Sequence, residues 1–184
     1  MILLLTGAPG CGKTMLVARV AAALGELRVA GFTTEEIRDG SGRRRGFRIV
    51  PLAASHDRPR VMAHVDLPGP ARVGRYGVDV AAIDAVAEDA LAPRADVDLH
   101  LVDEIGKMEC LSPRFVTAMR TLLDAGMPVV ATIALRGGGF IAEVKSRDDV
   151  EIREVRPANR EALVEEIVAW IGRASGSSRL ENAP

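Results

Sequence analysis

The chain has 184 residues, of which 48% are hydrophobic and 27% charged, and its formal net charge is −1. This composition is typical of a globular protein with a substantial core, and it excludes a disordered chain. The near-zero charge gives no broad electrostatic reason to bind nucleic acid or an anionic membrane. The two cysteines are too few for a disulfide framework.

The sequence contains no recognisable targeting or membrane-spanning segment. Its start, MILLLTGAPG, lacks the charged region and the long apolar stretch of a signal peptide, and no later apolar stretch reaches membrane-spanning length. We therefore expect a cytoplasmic protein with no membrane partner. We expect residues 1–173 to form a single domain, and residues 174–184, which include SGSSRLENAP, to form a flexible C-terminal tail.

The first 24 residues have the order of a strand, a glycine-rich loop and a helix. Residues 2–5 are an apolar run typical of a buried parallel strand, and residues 15–24 are mostly good helix formers. The loop between them, GAPGCGKT, fits the phosphate-binding pattern G-x-x-x-x-G-K-[ST]. Glycines let successive backbone N–H groups face an anion, and the helix N-terminus adds a partial positive charge. The alternative is a glycine-rich turn that binds no ligand.

Three side chains of this loop have chemistry of their own. We expect Lys13 to reach the β- and γ-phosphates of a nucleotide and the Thr14 hydroxyl to ligate Mg²⁺. Cys11 lies at the predicted start of the helix, where thiols tend to be reactive. It is therefore either a reactive thiol that bound nucleotide protects or a side chain of the core.

The stretch after the first helix predicts two strands joined by a turn. Residues 29–37 and 46–52 have the composition of strands, and DGSG at residues 39–42 is a turn signal. We therefore expect an inserted β-hairpin here. Residues 53–77 are rich in Pro, Gly, Arg and His and predict only a short strand at residues 61–65.

The second half of the chain alternates between helices and strands. Apolar positions recur with helical spacing from residue 78 to residue 91. The later predicted elements are a strand at residues 97–102, a helix capped by Ser112 that ends at Asp124, a strand at residues 128–135, an edge strand at residues 150–155, and a last helix capped by Asn159. This alternation predicts an α/β domain with a mostly parallel sheet.

Two acidic residues follow the apolar run LHLV. Asp103 and Glu104 are expected at the carboxyl end of a strand, where open α/β sheets bind their ligands. Together with the glycine loop, Asp103 is a candidate to hold Mg²⁺, directly or through water. Glu104 is a candidate general base that orients and activates water beside the γ-phosphate. The alternative for Glu104 is an exposed glutamate with no such role.

Four stretches resemble those of one known family. In chain order, GAPGCGKT, GFTTEEIRDGSGRRRGFRIV, VGRYGVDV and VDEIGKMEC are similar to motifs of the small nucleoside-triphosphatase family that includes the cancer-related nucleoside-triphosphatase. The resemblance implies a three-layer P-loop NTPase fold of the additional-strand type, which is marked by a glutamate directly after the strand-end aspartate. It also implies Mg²⁺-dependent hydrolysis of ATP, GTP, CTP, UTP and TTP to the diphosphate and phosphate, with little base preference.

The resemblance also implies which residues contact the nucleotide. Lys13 and Glu104 are the expected catalytic residues, and Thr14 and Asp103 are the expected Mg²⁺ ligands. The expected nucleotide contacts are Gly7, Ala8, Pro9, Gly10, Cys11, Gly12, Lys13 and Thr14 in the loop, and Leu99, His100, Leu101, Val102, Asp103, Glu104, Ile105 and Gly106 around the second motif.

Five further residues are candidates with an open alternative. Lys107 either contacts phosphate or pairs with a nearby glutamate, and Thr132 either senses the γ-phosphate or simply ends a strand. Arg136 and Arg147 are candidates to stabilise transition-state charge among 21 arginines. Tyr76 either stacks on a nucleobase or packs in a loop or core.

Three classes of function remain after this survey. A nucleoside triphosphatase needs a phosphate loop, a metal-holding aspartate and a base, and all three are present. A nucleotide or small-molecule kinase would use the same loop and bind an acceptor, with residues 53–77 as the candidate region. A nucleotide-dependent binding switch would need no base. The sequence favours hydrolysis and identifies no protein partner.

Overall fold

A computed structural model of the chain describes residues 1–52 and 58–176. Its elements, in chain order, are β1 (Ile2–Thr6), α1 (Lys13–Ala23), β2 (Val29–Arg38), β3 (Arg44–Pro51), β4 (Arg60–His64), β5 (Arg72–Val73), β6 (Tyr76–Val78), α2 (Val80–Ala90), β7 (Leu99–Ile105), α3 (Pro113–Asp124), β8 (Val129–Ile133), α4 (Phe140–Lys145), β9 (Val150–Glu154) and α5 (Arg160–Ala174), with a 3₁₀ turn at Glu109–Leu111.

The strands form one mixed sheet in the order β5-β6-β4-β3-β2-β7-β8-β1-β9. The five strands from β2 to β9 in this order are parallel to one another. The strands from β3 outward pair antiparallel and extend the sheet beyond β2. The expected α/β class is confirmed, and the parallel pairing that the alternation predicts holds for the part of the sheet from β2 to the edge strand β9.

Helices cover both faces of the parallel strands. Along β1, Leu3 and Leu5 face a cluster with side chains of α1 and α5, whereas Ile2 and Leu4 face a cluster with side chains of α2, α3 and α4. Neighbouring residues of a strand point to opposite faces, so a strand between two helical layers must be apolar on both sides. Every residue of β1 is buried, which explains the uninterrupted apolar run in the sequence.

The turn between β2 and β3 is held by a single carboxylate. Asp39 Oδ1 accepts hydrogen bonds from the backbone N–H groups of Ser41, at 2.9 Å, and Arg43, at 3.0 Å. Such side-chain bonding to the backbone two residues ahead is the reason that aspartate favours turns. The predicted short strand at residues 61–65 corresponds to β4, and residues 53–57 of the predicted acceptor region lie outside the described residues.

Several boundaries differ from those that the sequence predicts. Strand β7 continues through Asp103 and Glu104 to Ile105, so both acidic residues lie within the strand. Asn159 precedes α5, yet its Oδ1 accepts from the backbone N–H of Arg156 at 2.8 Å and does not cap the helix. The short helix α4 has no counterpart among the predicted elements, because six residues give too little periodicity to recognise.

The C-terminal end of the described chain is helical. Helix α5 continues through Ala174, which packs against the α1 and α5 cluster. Of residues 174–184, for which we expect a flexible tail, Ala174 is the last residue of this helix, and residues 177–184 lie outside the described ones. Among the described residues, no helix is both long and apolar enough to cross a membrane.

The Ser112 side chain is predicted to stabilise the fold. It is fully buried, accepts from the backbone N–H of Phe115 at 2.8 Å and donates to Asp84 Oδ1 on α2. We expect Ser112→Ala to lower the free energy of unfolding by about 1–2 kcal/mol, because the change removes a helix cap and leaves a carboxylate without its donor. Urea unfolding followed by circular dichroism measures this. Thr121→Ala, at an exposed position of the same helix, is the control; equal losses in both variants would contradict the prediction.

Candidate functional site

A large cavity of the described structure lies at the carboxyl ends of the parallel strands. Its volume is about 990 Å³. Four parts of the chain contribute to its walls: the loop after β1, the segment after β7, the segment after β8, and side chains of the antiparallel strands such as Glu36, Arg44 and Tyr76. A smaller cavity of about 400 Å³ lies between α2 and α3 and contains none of the predicted site residues. Ligands of open α/β sheets bind at this carboxyl edge, so the larger cavity is the candidate site.

The glycine loop wraps tightly because two glycines adopt conformations that other residues avoid. Gly10 has φ 79° and Gly12 has φ 100°, both in the left-handed region. Gly12 is also the N-cap of α1, and no side chain caps the helix there. The N–H groups of the first turn therefore face the cavity without a side-chain partner, which is the arrangement that helix N-termini use to bind anions.

Lys13 and Glu104 meet across the cavity. Lys13 Nζ donates to the backbone carbonyl of Gly7 at 3.3 Å and lies 3.7 Å from Glu104 Oε2. Burial raises the pKa of the Glu104 carboxyl above its usual value, whereas the positive charge of Lys13 opposes the rise. The expected association of the loop with the acidic end of β7 is therefore present in the geometry.

Asp103 is buried in the sheet and does not itself line the cavity. It has no exposed surface, and its two oxygens accept hydrogen bonds from Thr132 Oγ1 at 2.5 Å and Thr34 Oγ1 at 3.3 Å. Thr132 lies on β8 and Thr34 on β2, so the two strands that flank β7 fix the orientation of this carboxylate. The sequence identified Thr132 but not Thr34, since a threonine within a strand gives no signal of its own.

Glu109 is a buried acid that sequence reasoning did not single out. It is 5% exposed and begins the 3₁₀ turn after β7. A Cβ added to Gly106 would lie 2.7 Å from Glu109 Oε2 and 3.1 Å from Glu104 Oε1, so the two carboxyl groups lie close together around this glycine. Burial raises the pKa of the Glu109 carboxyl to about 8, and the charges of Glu104 and Asp103 add to the rise.

The structure brings half of the expected nucleotide contacts to the cavity. Those that line it are Gly7, Pro9, Gly10, Gly12, Lys13, Thr14, Glu104 and Gly106. The others do not line it: Ala8, Cys11, Leu99, His100, Leu101, Val102, Asp103 and Ile105. The residues of β7 up to Val102 are buried in the sheet, which the apolar run itself required.

Cys11 belongs to the core. Its side chain is 7% exposed and packs in the cluster formed with α1 and α5. Of the two alternatives for this thiol, the geometry therefore favours the core side chain. His100 is likewise buried, and its Nε2 lies 3.2 Å from the carbonyl of Ala92. Burial lowers the pKa of this imidazole, which keeps it neutral within the sheet.

The remaining candidates are divided between the cavity and the surface. Lys107 and Arg136 line the cavity. Arg147 is not brought to it, because Asp124, at the end of α3, and Asp149 bind its guanidinium at 2.6–2.8 Å. These two carboxylates hold Arg147 in a surface ion-pair cluster.

Tyr76 is built into the cavity wall. Its hydroxyl accepts from Arg44 Nε and from Arg75 Nη2, each at 3.1 Å. The Arg75 guanidinium lies over its ring at 5.1 Å, and Phe47 contacts the ring edge-to-face at a centroid distance of 5.3 Å. These contacts favour packing over base stacking, since a cation already covers one face of the ring.

The same wall contains an ion-pair cluster that the sequence did not reveal. Glu36 on β2 accepts from Arg44 at 2.7 Å and also from Arg38. All three side chains line the cavity opposite the glycine loop. Arg38 is two residues from Glu36 on β2, whereas Arg44 reaches Glu36 only because β3 pairs with β2, so the full cluster was not visible from spacing in the chain.

The raised pKa of Glu109 predicts a pH-dependent effect on stability. A carboxyl whose folded pKa exceeds its unfolded pKa, near 4.3, contributes stability below pH 4 that is lost as the pH rises towards 8. Glu109→Gln removes this ionisation. As the pH rises from 5 to 9, the free energy of unfolding of the variant should therefore increase relative to that of the parent, by about 2–5 kcal/mol.

Urea unfolding at pH 5, 7 and 9 tests this stability prediction. Glu165→Gln, which changes an exposed glutamate of α5, is the matched control and should follow the parent at every pH. A constant difference between Glu109→Gln and the parent across this range would show that Glu109 does not hold a proton in the folded protein.

Comparisons with a family model and with individual proteins identify the same family. The model of the family described as NTPase matches residues 2–168. The chain is 39% identical to nucleoside-triphosphatase THEP1 of Thermotoga petrophila over 169 residues, which are 91% of each chain. It is 36% identical to the cancer-related nucleoside-triphosphatase homolog of Bos taurus, over 89% of this chain and 93% of the relative.

Solved structures agree with the sequence comparison. The crystal structure of THEP1 from the hyperthermophile Aquifex aeolicus superposes with a TM-score of 0.82 at 31% identity, over 93% of this chain and 99% of that chain. The solution structure of a human cancer-related nucleoside triphosphatase gives a TM-score of 0.76 at 32% identity, over 94% of this chain and 97% of that chain. With a family model that matches most of its length and relatives above 30% identity along nearly all of it, the chain belongs to the NTPase family.

Proposed function

We propose that the protein is a nucleoside triphosphatase that hydrolyses ATP, GTP, CTP, UTP and TTP to the diphosphate and phosphate with the help of Mg²⁺. The observation that most supports this is the meeting of Lys13 Nζ and Glu104 Oε2, 3.7 Å apart, in the cavity above the glycine loop. The names of the relatives, nucleoside-triphosphatases in bacteria, archaea and mammals, support the same activity.

Binding of the phosphates is assigned to the loop at residues 7–14. The backbone N–H groups at the start of α1 would bind the phosphate oxygens, and Lys13 would neutralise charge on the β- and γ-phosphates. Lys107 and Arg136, which line the same cavity, add positive charge near the phosphates. All of these contacts are to groups that the five nucleotides share, which is the physical basis that we propose for low base selectivity.

Activation of water is assigned to Glu104. Its side chain is 31% exposed, so water reaches it, and its partner Lys13 keeps it beside the phosphate-binding loop. An ionised Glu104 accepts a proton from the attacking water, and the oxygen then forms a bond to the terminal phosphorus as the bond to the diphosphate breaks. The raised pKa of Glu104 makes it a stronger base than a solvated glutamate.

The residues fit a Mg²⁺ ion that takes few ligands from the protein and most of them from water and phosphate. Among residues 1–52 and 58–176, no group of three or more acidic, histidine or cysteine side chains could hold a metal by itself. Mg²⁺ usually takes one or two protein oxygens and completes its shell with water and phosphate. Thr14 and Asp103 would supply those oxygens, and the ion would supply charge neutralisation at the phosphates. Because Thr34 and Thr132 already bind Asp103, we assign it a contact through water.

Thr132 is assigned a role through Asp103. Its hydroxyl donates to Asp103 Oδ1 at 2.5 Å and has no exposed surface, so it is placed to fix the carboxylate. Contact with the γ-phosphate itself would require this short hydrogen bond to break. We therefore propose that Thr132 positions Asp103 and does not touch the nucleotide.

Removal of the loop lysine tests the phosphate-binding assignment. Lys13→Ala should weaken ATP binding at least tenfold and leave the much weaker binding of adenosine unchanged, because only the triphosphate uses the charge. Calorimetric titration of both ligands measures this. The matched control is Lys145→Ala, since Lys145 does not line the cavity and donates instead to the backbone carbonyl of Leu135. Unchanged ATP affinity in Lys13→Ala would contradict the assignment.

Separate changes of the two acidic residues test their different roles. Glu104→Gln keeps the shape and removes the base, so hydrolysis should slow by about 10²–10⁴-fold while nucleotide affinity stays nearly constant. Asp103→Asn should instead weaken Mg²⁺-dependent nucleotide binding. Single-turnover hydrolysis of ATP without an added acceptor, combined with nucleotide titrations at varied Mg²⁺, distinguishes the two. A Glu104→Gln rate within a few-fold of the parent would exclude Glu104 as the base.

A further inference from the structure

Arg160 lies directly against the glycine loop. It is the first residue of α5, and a Cβ added to Gly12 would lie 2.7 Å from its Nη1 and 2.9 Å from its Cδ. The side chain therefore extends across the last glycine before Lys13. No pattern in the sequence predicts this contact, since 148 positions separate the two residues in a chain with 21 arginines.

The Arg160 guanidinium has an unused hydrogen-bond donor. Its Nε is buried and donates to no acceptor in the described part of the chain. The nearest carboxylate oxygen, Glu161 Oε1, is 3.9 Å away, and the other oxygen of Glu161 accepts from Arg19. A buried donor of a charged group is costly when it lacks an acceptor, and a bound anion would supply one.

The position of Arg160 across the sheet indicates which part of a nucleotide it would meet. The strand order is β7-β8-β1-β9, so the acidic end of β7 and the start of α5 lie on opposite sides of the loop after β1. Glu104, on β7, marks the side on which the terminal phosphate is cleaved. Arg160, which follows β9, lies on the side towards which the nucleoside end of the polyphosphate must extend.

We propose that Arg160 binds the α-phosphate of the nucleotide. This inference rests on the proposed function, because it requires a nucleoside polyphosphate in the glycine loop. The α-phosphate is present in substrate and product alike and does not change on cleavage. Arg160 therefore stabilises the ground state and the transition state equally, which affects binding and leaves the chemical step unchanged. The contact is also independent of the base.

Substitution of Arg160 should change KM, Kd and kcat in a different combination from substitution of Lys13 or Glu104. Arg160→Ala should raise the KM for ATP and the Kd for ADP together, by about 10–100-fold, with kcat within twofold of the parent, because the change removes a charge-assisted hydrogen bond to a shared group. Arg160→Lys should recover part of the affinity for both ligands, as it keeps the charge and loses the planar donor geometry. Arg173→Ala, which removes an exposed charge near the other end of α5, is the control and should change neither constant.

The outcomes of this experiment separate the inference from its alternatives. A fall in kcat with unchanged ADP affinity would assign Arg160 to the transition state and overturn the proposal, as would unchanged affinity for both nucleotides. If Arg160→Ala does not fold, Arg160→Gln keeps the stem that packs on Gly12 and gives the same measurement. ADP titration of the parent needs no hydrolysis, so a parent that binds ADP but releases no phosphate would refute the proposed function and leave the Arg160 measurement intact.

Discussion

Parallel pairing of β2, β7, β8, β1 and β9 is the constraint on which the candidate site depends. Parallel strands all end at the same edge of a sheet, and each of these five contributes one part of the site at that edge. The glycine loop follows β1, the two acidic residues lie near the carboxyl end of β7, Thr132 and Thr34 approach from β8 and β2, and Arg160 follows β9. Pairing of these strands thus makes neighbours of residues that are far apart in the chain.

The negative charge at this edge depends on which of two neighbouring carboxyl groups is ionised. Glu104 and Glu109 lie close together around Gly106, and two buried carboxyl groups at such proximity resist ionising together. Lys13 pairs with Glu104 and favours its ionisation. Glu109, which is more deeply buried, keeps its proton at neutral pH. The arrangement gives one basic and one neutral carboxyl group, which limits the repulsion that a polyphosphate would meet.

The sequence predicted those parts of the fold and site that depend on local pattern. The phosphate loop, the apolar strands, the Ser112 cap and the strand-end acids all have signals within a few residues. Glu109, Thr34 and Arg160 do not, because their importance arises from burial or from pairing between distant segments. Arg147 shows the opposite failure, since its residue type was suggestive but two aspartates hold it at the surface. The outer part of the antiparallel extension was not predicted, because β5 and β6 have only two and three residues and give no pattern to recognise.

Strand β2 belongs to both the parallel and the antiparallel part of the sheet, and mostly different residues of the strand make the two pairings. It pairs with β7 only at residues 29–32 and with β3 only at residues 32–38. Insertions or deletions at the turn held by Asp39 therefore leave the register of the parallel strands untouched. The wall that contains Glu36, Arg44 and Tyr76 can change its shape and charge during evolution while the phosphate-binding edge keeps its geometry. Homologous proteins can in this way acquire different ligands in the outer part of the cavity without rebuilding their hydrolytic chemistry.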